Sequence, residues 1–170
     1  MSIAQGMLPE LQHELATTRK FLERIPEAQA GWTPHPKSMT LGALAVHIAE
    51  MAGWAAPTLQ YPEFDLHPAG GEAYQSPPFT TTAALVAMFD AAVPQALAAL
   101  AATSDEAMMQ PWALKRAGTV LMQMPRAVVL RSMILNHIVH HRAQLGLYLR
   151  MLDVPVPAAY GNTADDRGHA

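Results

Sequence analysis

The chain has no cysteine. Structural disulfides, thiolate metal ligands and a cysteine nucleophile are excluded together, and any thiol in its chemistry must arrive with a substrate. Aromatic residues are scarce, at 6%, while Ala, Leu and Met are abundant, a balance that favours helices over strands. Lys and Arg number 11 against 14 Asp and Glu, for a net charge of -3, and the basic residues are scattered singly. With no basic block to attract phosphate or anionic lipid, neither nucleic acid nor a membrane surface is an expected partner. No uninterrupted run approaches about 18 apolar residues, and MSIAQGMLPELQHEL lacks the basic start and continuous apolar stretch of a signal peptide. A soluble cytoplasmic protein is the expectation.

What the chain does have is helical period with histidine in it. Through ILNHIVHHRAQLGLYLR and its flanks, the residues Leu130, Ile134, His137, His141, Gln144, Tyr148 and Met151 alternate steps of four and three, the spacing of a buried helical seam. His137 and His141 are four apart, so their rings lie one above the other on a single face and can converge on one point. His140 is rotated to the flank. From LGALAVHIAEM onward the same spacing runs through Leu44, His47, Met51 and Trp54, again with histidine in a core slot. Taken singly, each of these is most simply a core histidine hydrogen-bonded to backbone, tyrosine or carboxylate. Burying three imidazoles repeats the desolvation penalty three times, so the set points to a shared purpose, a divalent transition metal held by His47, His137 and His141.

The 170 residues suit one domain, expected over residues 1–161 with a flexible tail over 162–170. Leu8, Leu11, Leu15, Thr18, Leu22 and Ile25 line one face of a first helix, with Glu10, Glu14, Arg19 and Glu23 outside, Pro9 in its first turn and Pro26 ending it. His13 falls off the stripe. Gly31, Pro34 and Pro36 mark a connector carrying an exposed His35, after which Ser38 or Thr40 caps a second helix from about Leu41 towards Leu59, kinked or closed early by Pro57. Tyr61 to Thr80 has no sustained period and reads as a lid, a substrate-contacting loop or a long crossover; His67 within it is a further candidate ligand. A third helix carries Leu85, Phe89, Val93, Leu97 and Leu100, with a bend at Pro94 and with Asp90 able to support a histidine from behind. Alternation around Gly118, between Trp112 and Met124, predicts a small β-hairpin. Pro125 then opens a fourth helix that ends near Asp153.

Four amphipathic helices with inward histidines on the second and fourth predict an all-α four-helix bundle, a fold in which metal sites are built from side chains on facing helices. The lone histidine of KSMTLGALAVHIAE, the segment NHIVHHRAQLGLYLR and the closing VPVPAAYG, with WTPHPKS before the second helix, resemble the DinB-like, or YfiT-like, metalloenzymes. The resemblance runs from the first helix to Gly161. It implies an up-down-down-up bundle, one divalent cation on His47, His137 and the second member of the His140–His141 pair, and a homodimer. Zinc or nickel suits three imidazoles, and three protein ligands leave a coordination position open. Characterised members of the family include transferases and isomerases that use mycothiol, bacillithiol or glutathione, which implies a thiol S-transferase or isomerase. Metal-dependent hydrolysis and a non-catalytic, metal-stabilised stress-response protein are the alternatives. A ferritin-like di-iron site would need several inward Glu residues, and only Glu50 lies near a candidate ligand. Glu50, His140, Arg142 and Gln144 are the candidates for a supporting acid or base. Val128, Val129, Leu135 and Val139 lie outside the seam of the fourth helix and add a slight argument for the dimer.

Overall fold

The computed structural model describes residues 2–169, with side chains through Asp166. Helix α1, Ile3–Leu22, opens on a capping box in which Ser2 Oγ accepts the Gln5 N–H and Gln5 Oε1 accepts the Ser2 N–H. The box starts the helix earlier than Pro9 suggests, so Pro9 lies inside the helix and not in its first turn. Leu11, Leu15, Thr18, Leu22 and Ile25 are buried as the period predicts. Glu14, expected on the outer face, is buried as well, because a buried cation meets it there.

Thr40 Oγ1 accepts the Ala43 N–H and caps α2, Leu41–Gln60, which runs through Pro57 without closing early. Thr81 caps α3, Thr82–Ala102, which is likewise continuous across Pro94. Helix α3 is long and apolar enough to cross a membrane by length and composition alone. Its outward positions are mostly alanines, and Asp90 among them pairs with Arg19 of α1, so Asp90 is committed away from the histidines. A short α4, Asp105–Met109, follows, capped by Ser104.

Strands β2, Pro111–Arg116, and β3, Thr119–Pro125, pair antiparallel around a turn in which Ala117 and Gly118 have φ of 50° and 76°. Gly118 suits that left-handed conformation because it has no Cβ. The irregular segment contains a strand that its sequence does not announce: β1, Glu63–Asp65, joins the sheet parallel to β2. Three residues are too few for alternation to show. Asp65 secures the junction by accepting N–H bonds from His67, Ala117 and Gly118, which hold its carboxyl below the usual range.

The expected fourth helix is built in three pieces. Helix α5, Arg126–Val129, passes into a π-helical turn, Leu130–Leu135, and then into α6, Asn136–Met151. The Asn136 N–H bonds to Arg131 O, five residues back. A wider turn is a local departure from the α-helical repeat, yet Leu130, Ile134 and Tyr148 of the expected seam are buried and His137 and His141 half-buried. Val129, Leu135, Ile138, Arg142, Leu145 and Leu149 are buried, while Gln144 and Met151, assigned to the seam, are exposed. Two of the four residues advanced for a dimer, Val129 and Leu135, therefore belong to the core.

Contacts between helices fix their relative directions. Arg19 meets Asp90, and Thr82 Oγ1 bonds Ile25 O, so α1 and α3 run antiparallel. Gly42 lies against Phe79 and Gly53 against Ala92, so α2 and α3 run side by side in one direction and need the long connection between them. Arg142 with Glu14 and Gly146 with Phe21 place α6 parallel to α1, and Tyr148 OH donating to Met39 O places it antiparallel to α2. The protein is mostly helical, with the small sheet at one side. Beyond Gly161, where a flexible tail is expected, a 3-10 helix spans Ala164–His169, and Asp165 accepts bonds from Arg150 and the Val156 N–H that pull its carboxyl down to about 2.

Candidate metal centre

Helix α2 supplies His47, and α6 supplies His137 and His141 one turn apart. Ring centroids lie 5.2 Å apart for His47 and His137, 4.9 Å for His47 and His141, and 4.6 Å for His137 and His141. One nitrogen from each ring falls within 4.8 Å of the others, and all three side chains are half-buried. Helical phase had assembled the same three. His67 lies outside this cluster, at the edge of the sheet, and is exposed. His13 and His35 are exposed too, and His35 Nδ1 accepts the Lys37 N–H.

The protonation of two rings follows from their partners. His137 Nδ1 lies 3.3 Å from Met133 O, which can only accept, so that nitrogen carries the proton. Met133 belongs to the π turn. His141 Nδ1 lies 2.7 Å from Gln144 Oε1, while the Gln144 amide NH2 reaches His140 Nε2 at 3.2 Å. Both Nδ1 protons are thus spent outward, and the two Nε2 atoms face each other across 2.9 Å. Two lone pairs at that distance repel unless a cation or a shared proton lies between them. Burial, with the neighbouring His141 and His137 adding to it, pushes His47 down to about 4, and burial also lowers His141. Neutral rings are the ligating form.

Glu50, one turn after His47, accepts O–H bonds from Tyr74 and from Ser76, the latter at 2.7 Å. Burial first, then the bond to Glu50, pushes the Tyr74 phenol up to about 12, so it stays protonated. Tyr74 and Ser76 belong to the 61–80 connection, which is therefore tied to the histidine-bearing helix. At Gly42 the tie is closer still, since a Cβ there would lie 2.9 Å from Phe79 Cβ.

Arg142, weighed as a supporting group, is instead sequestered between α1 and α6. It is 2% exposed, pairs with Glu14 at 2.7 Å, donates to Glu14 O and Thr18 Oγ1, and shares Tyr160 OH with the Glu14 carboxylate. Its guanidinium also lies over the rings of Phe21 and Tyr160. The only sequence signal for this arrangement is that Glu14 falls three residues after Leu11 and four before Thr18, inside the apolar stripe.

Two cavities flank the triad. One, of about 540 Å³, is bordered by His47, Thr40, Met39, Ser76 and the Pro77–Phe79 segment. The other, of about 390 Å³, lies beside His137 and is walled by Trp54, Trp112, Leu114, Met122 and Ile134, with Glu50 and Tyr74 at one side. Trp112 Nε1 is buried without a hydrogen-bond partner. Glu50 and its two hydroxyl partners stand between the cavities, because Tyr74 borders one and Ser76 the other.

Helices packed around one core bring together three histidines that could hold a metal ion, with His47 bordering one cavity and His137 the other. The chain belongs to the DinB family, which its sequence matches over residues 1–167. A DinB-like protein from Bacillus cereus ATCC 10987 superposes with a TM-score of 0.68 at 21% identity, covering 92% of this chain and 97% of the other. YjoA, a DinB-like protein from Bacillus subtilis, does so with a TM-score of 0.68 at 15% identity, covering 92% and 99%. At those identities the likeness is one of fold. No curated protein matches the sequence.

Proposed function

We propose that His47, His137 and His141 hold one divalent cation per chain, zinc or nickel, and that the protein is a metal-dependent enzyme acting with a low-molecular-weight thiol, as an S-transferase or isomerase. The observation that carries this reading is the pair of Nε2 atoms facing each other with both Nδ1 protons turned outward. Such a cation would supply Lewis-acid chemistry, lowering the pKa of a thiol or polarising a carbonyl. This chain's own residues bind and orient. Gln144 fixes the tautomer of His141, and Glu50 and Tyr74 offer an acceptor and a protonated phenol beside the cavities. The lack of cysteine fits chemistry whose sulfur comes from outside.

The reading includes the family's up-down-down-up four-helix bundle, which the directions of α1, α2, α3 and α6 support, together with a cytoplasmic location and a homodimer. The outward alanines of α3 and the exposed Val128 offer an apolar surface for such a dimer. Metal-dependent hydrolysis is the second reading, favoured by one observation, the Glu50 carboxylate at the cavity beside His137. The test is to assay the zinc- and nickel-loaded protein against cellular thiols paired with electrophiles, alongside ester and amide substrates. Thiol-dependent turnover that is lost on chelation supports the first reading. Turnover without thiol supports hydrolysis, and no turnover with either set refutes both.

A further inference from the structure

We infer that the 390 Å³ cavity beside His137 receives an uncharged, apolar part of the substrate, an aryl or branched alkyl group, while the substrate's reacting end meets the histidine triad. The inference rests on reading the triad as a metal centre and adds to it the chemical class of one substrate.

Sheet and helices build the cavity together. Leu114 and Met122 come from β2 and β3, Trp112 from β2, Trp54 from α2, and Met133 from the π turn whose carbonyl holds His137. Its volume is that of a small-molecule site. No Lys or Arg lines it, and its one carboxylate, Glu50, already accepts two O–H bonds. An anionic group placed there would be desolvated beside a carboxylate with no compensating cation, whereas an apolar group gains from leaving water. The sequence separates the wall residues by up to 87 positions, from Glu50 to His137, and the parallel pairing of β1 with β2 closes the wall with Phe64 and Leu66.

The test titrates the cobalt-loaded full-length protein with imidazole, 4-phenylimidazole, 1-benzylimidazole and the carboxylated ring 4-(imidazol-1-yl)benzoate, followed in the visible spectrum. At roughly 25 cal/mol per Å² of apolar surface removed from water, the better phenyl probe should bind at least about tenfold tighter than imidazole, and the carboxylate should abolish the gain. Leu114→Trp and Met122→Trp each fill the cavity from the sheet and should remove the gain while keeping the spectral response to imidazole, a response that also reports an intact fold and triad. Equal affinities for all probes, or a gain that survives in both variants, overturns the inference and leaves the metal centre standing. A spectrum that responds to no probe overturns the metal reading instead. The cavity is then probed alone with 1-phenylethanol, by the indole N–H chemical shifts of Trp54 and Trp112: shifts at both support the apolar site, and unchanged shifts overturn it.

Discussion

Two of the triad histidines, His137 and His141, have a partner that decides which nitrogen is free, and substitutions should rank accordingly. His47→Ala, His137→Ala and His141→Ala should each weaken zinc binding by more than about 100-fold in competition with a chromophoric chelator. Gln144→Leu, which removes the bond that orients His141 together with the one to His140, should weaken it by about 10- to 100-fold. His140→Ala should change it little, because that ring is exposed and touches the cluster only through its neighbour and Gln144. Loss of binding in His140→Ala with retention in His141→Ala would refute the assignment. A second expectation concerns the metal-free protein. His47 titrates at about 4 when folded, against an ordinary value of 6.5. Between those values the unfolded chain binds more protons than the folded one, so stability is complete above pH 6.5 and declines as pH falls towards 4. His141, shifted the same way by burial, adds to the decline. Urea midpoints across that range should show it, and His47→Gln should flatten the slope.

At the scale of elements, α1 and α6 are joined by the buried ion pair of Glu14 with Arg142. Arg142→Ala leaves the Glu14 carboxylate buried with only Tyr160 to bond it, and unfolding free energy should drop by about 3–5 kcal/mol. Replacing both partners, Glu14→Leu with Arg142→Met, should recover most of that loss, because no uncompensated charge then remains inside. A double variant as unstable as the single one would mean that the hydrogen bonds to Thr18 and Tyr160 matter more than the charge pair. The 61–80 connection is tied to α2 at Gly42 and at Glu50, and β1 ties it to the sheet. It thereby acts as a crossover between parallel helices, one of the alternatives that sequence left, and it also borders both cavities.

For the whole molecule, the dimer is the property most open to test. Light scattering at micromolar concentration should give twice the chain mass of 18.4 kDa, and Ala91→Glu with Ala98→Glu on the outward face of α3 should shift the protein to monomer. A monomer mass for the unaltered protein would refute the dimer. The case now leans on α3 and Val128, since Val129 and Leu135 are core residues.

Periodicity was sufficient wherever a residue's neighbours along the chain decide its direction. It found the apolar stripe of α1 and the inward phase of His47, His137 and His141, because 3.6 residues per turn carries a side chain's direction forward without knowledge of what it meets. Tertiary structure decided everything that depends on a partner far along the chain. Glu14 is buried because Arg142 arrives 128 residues later, and β1 is a strand because β2 offers it an edge. The π turn carries no local signal, yet it places Met133's carbonyl under His137. The cavity beside His137 exists only once α2, the sheet and that turn come together, so no single stretch of sequence could have shown it.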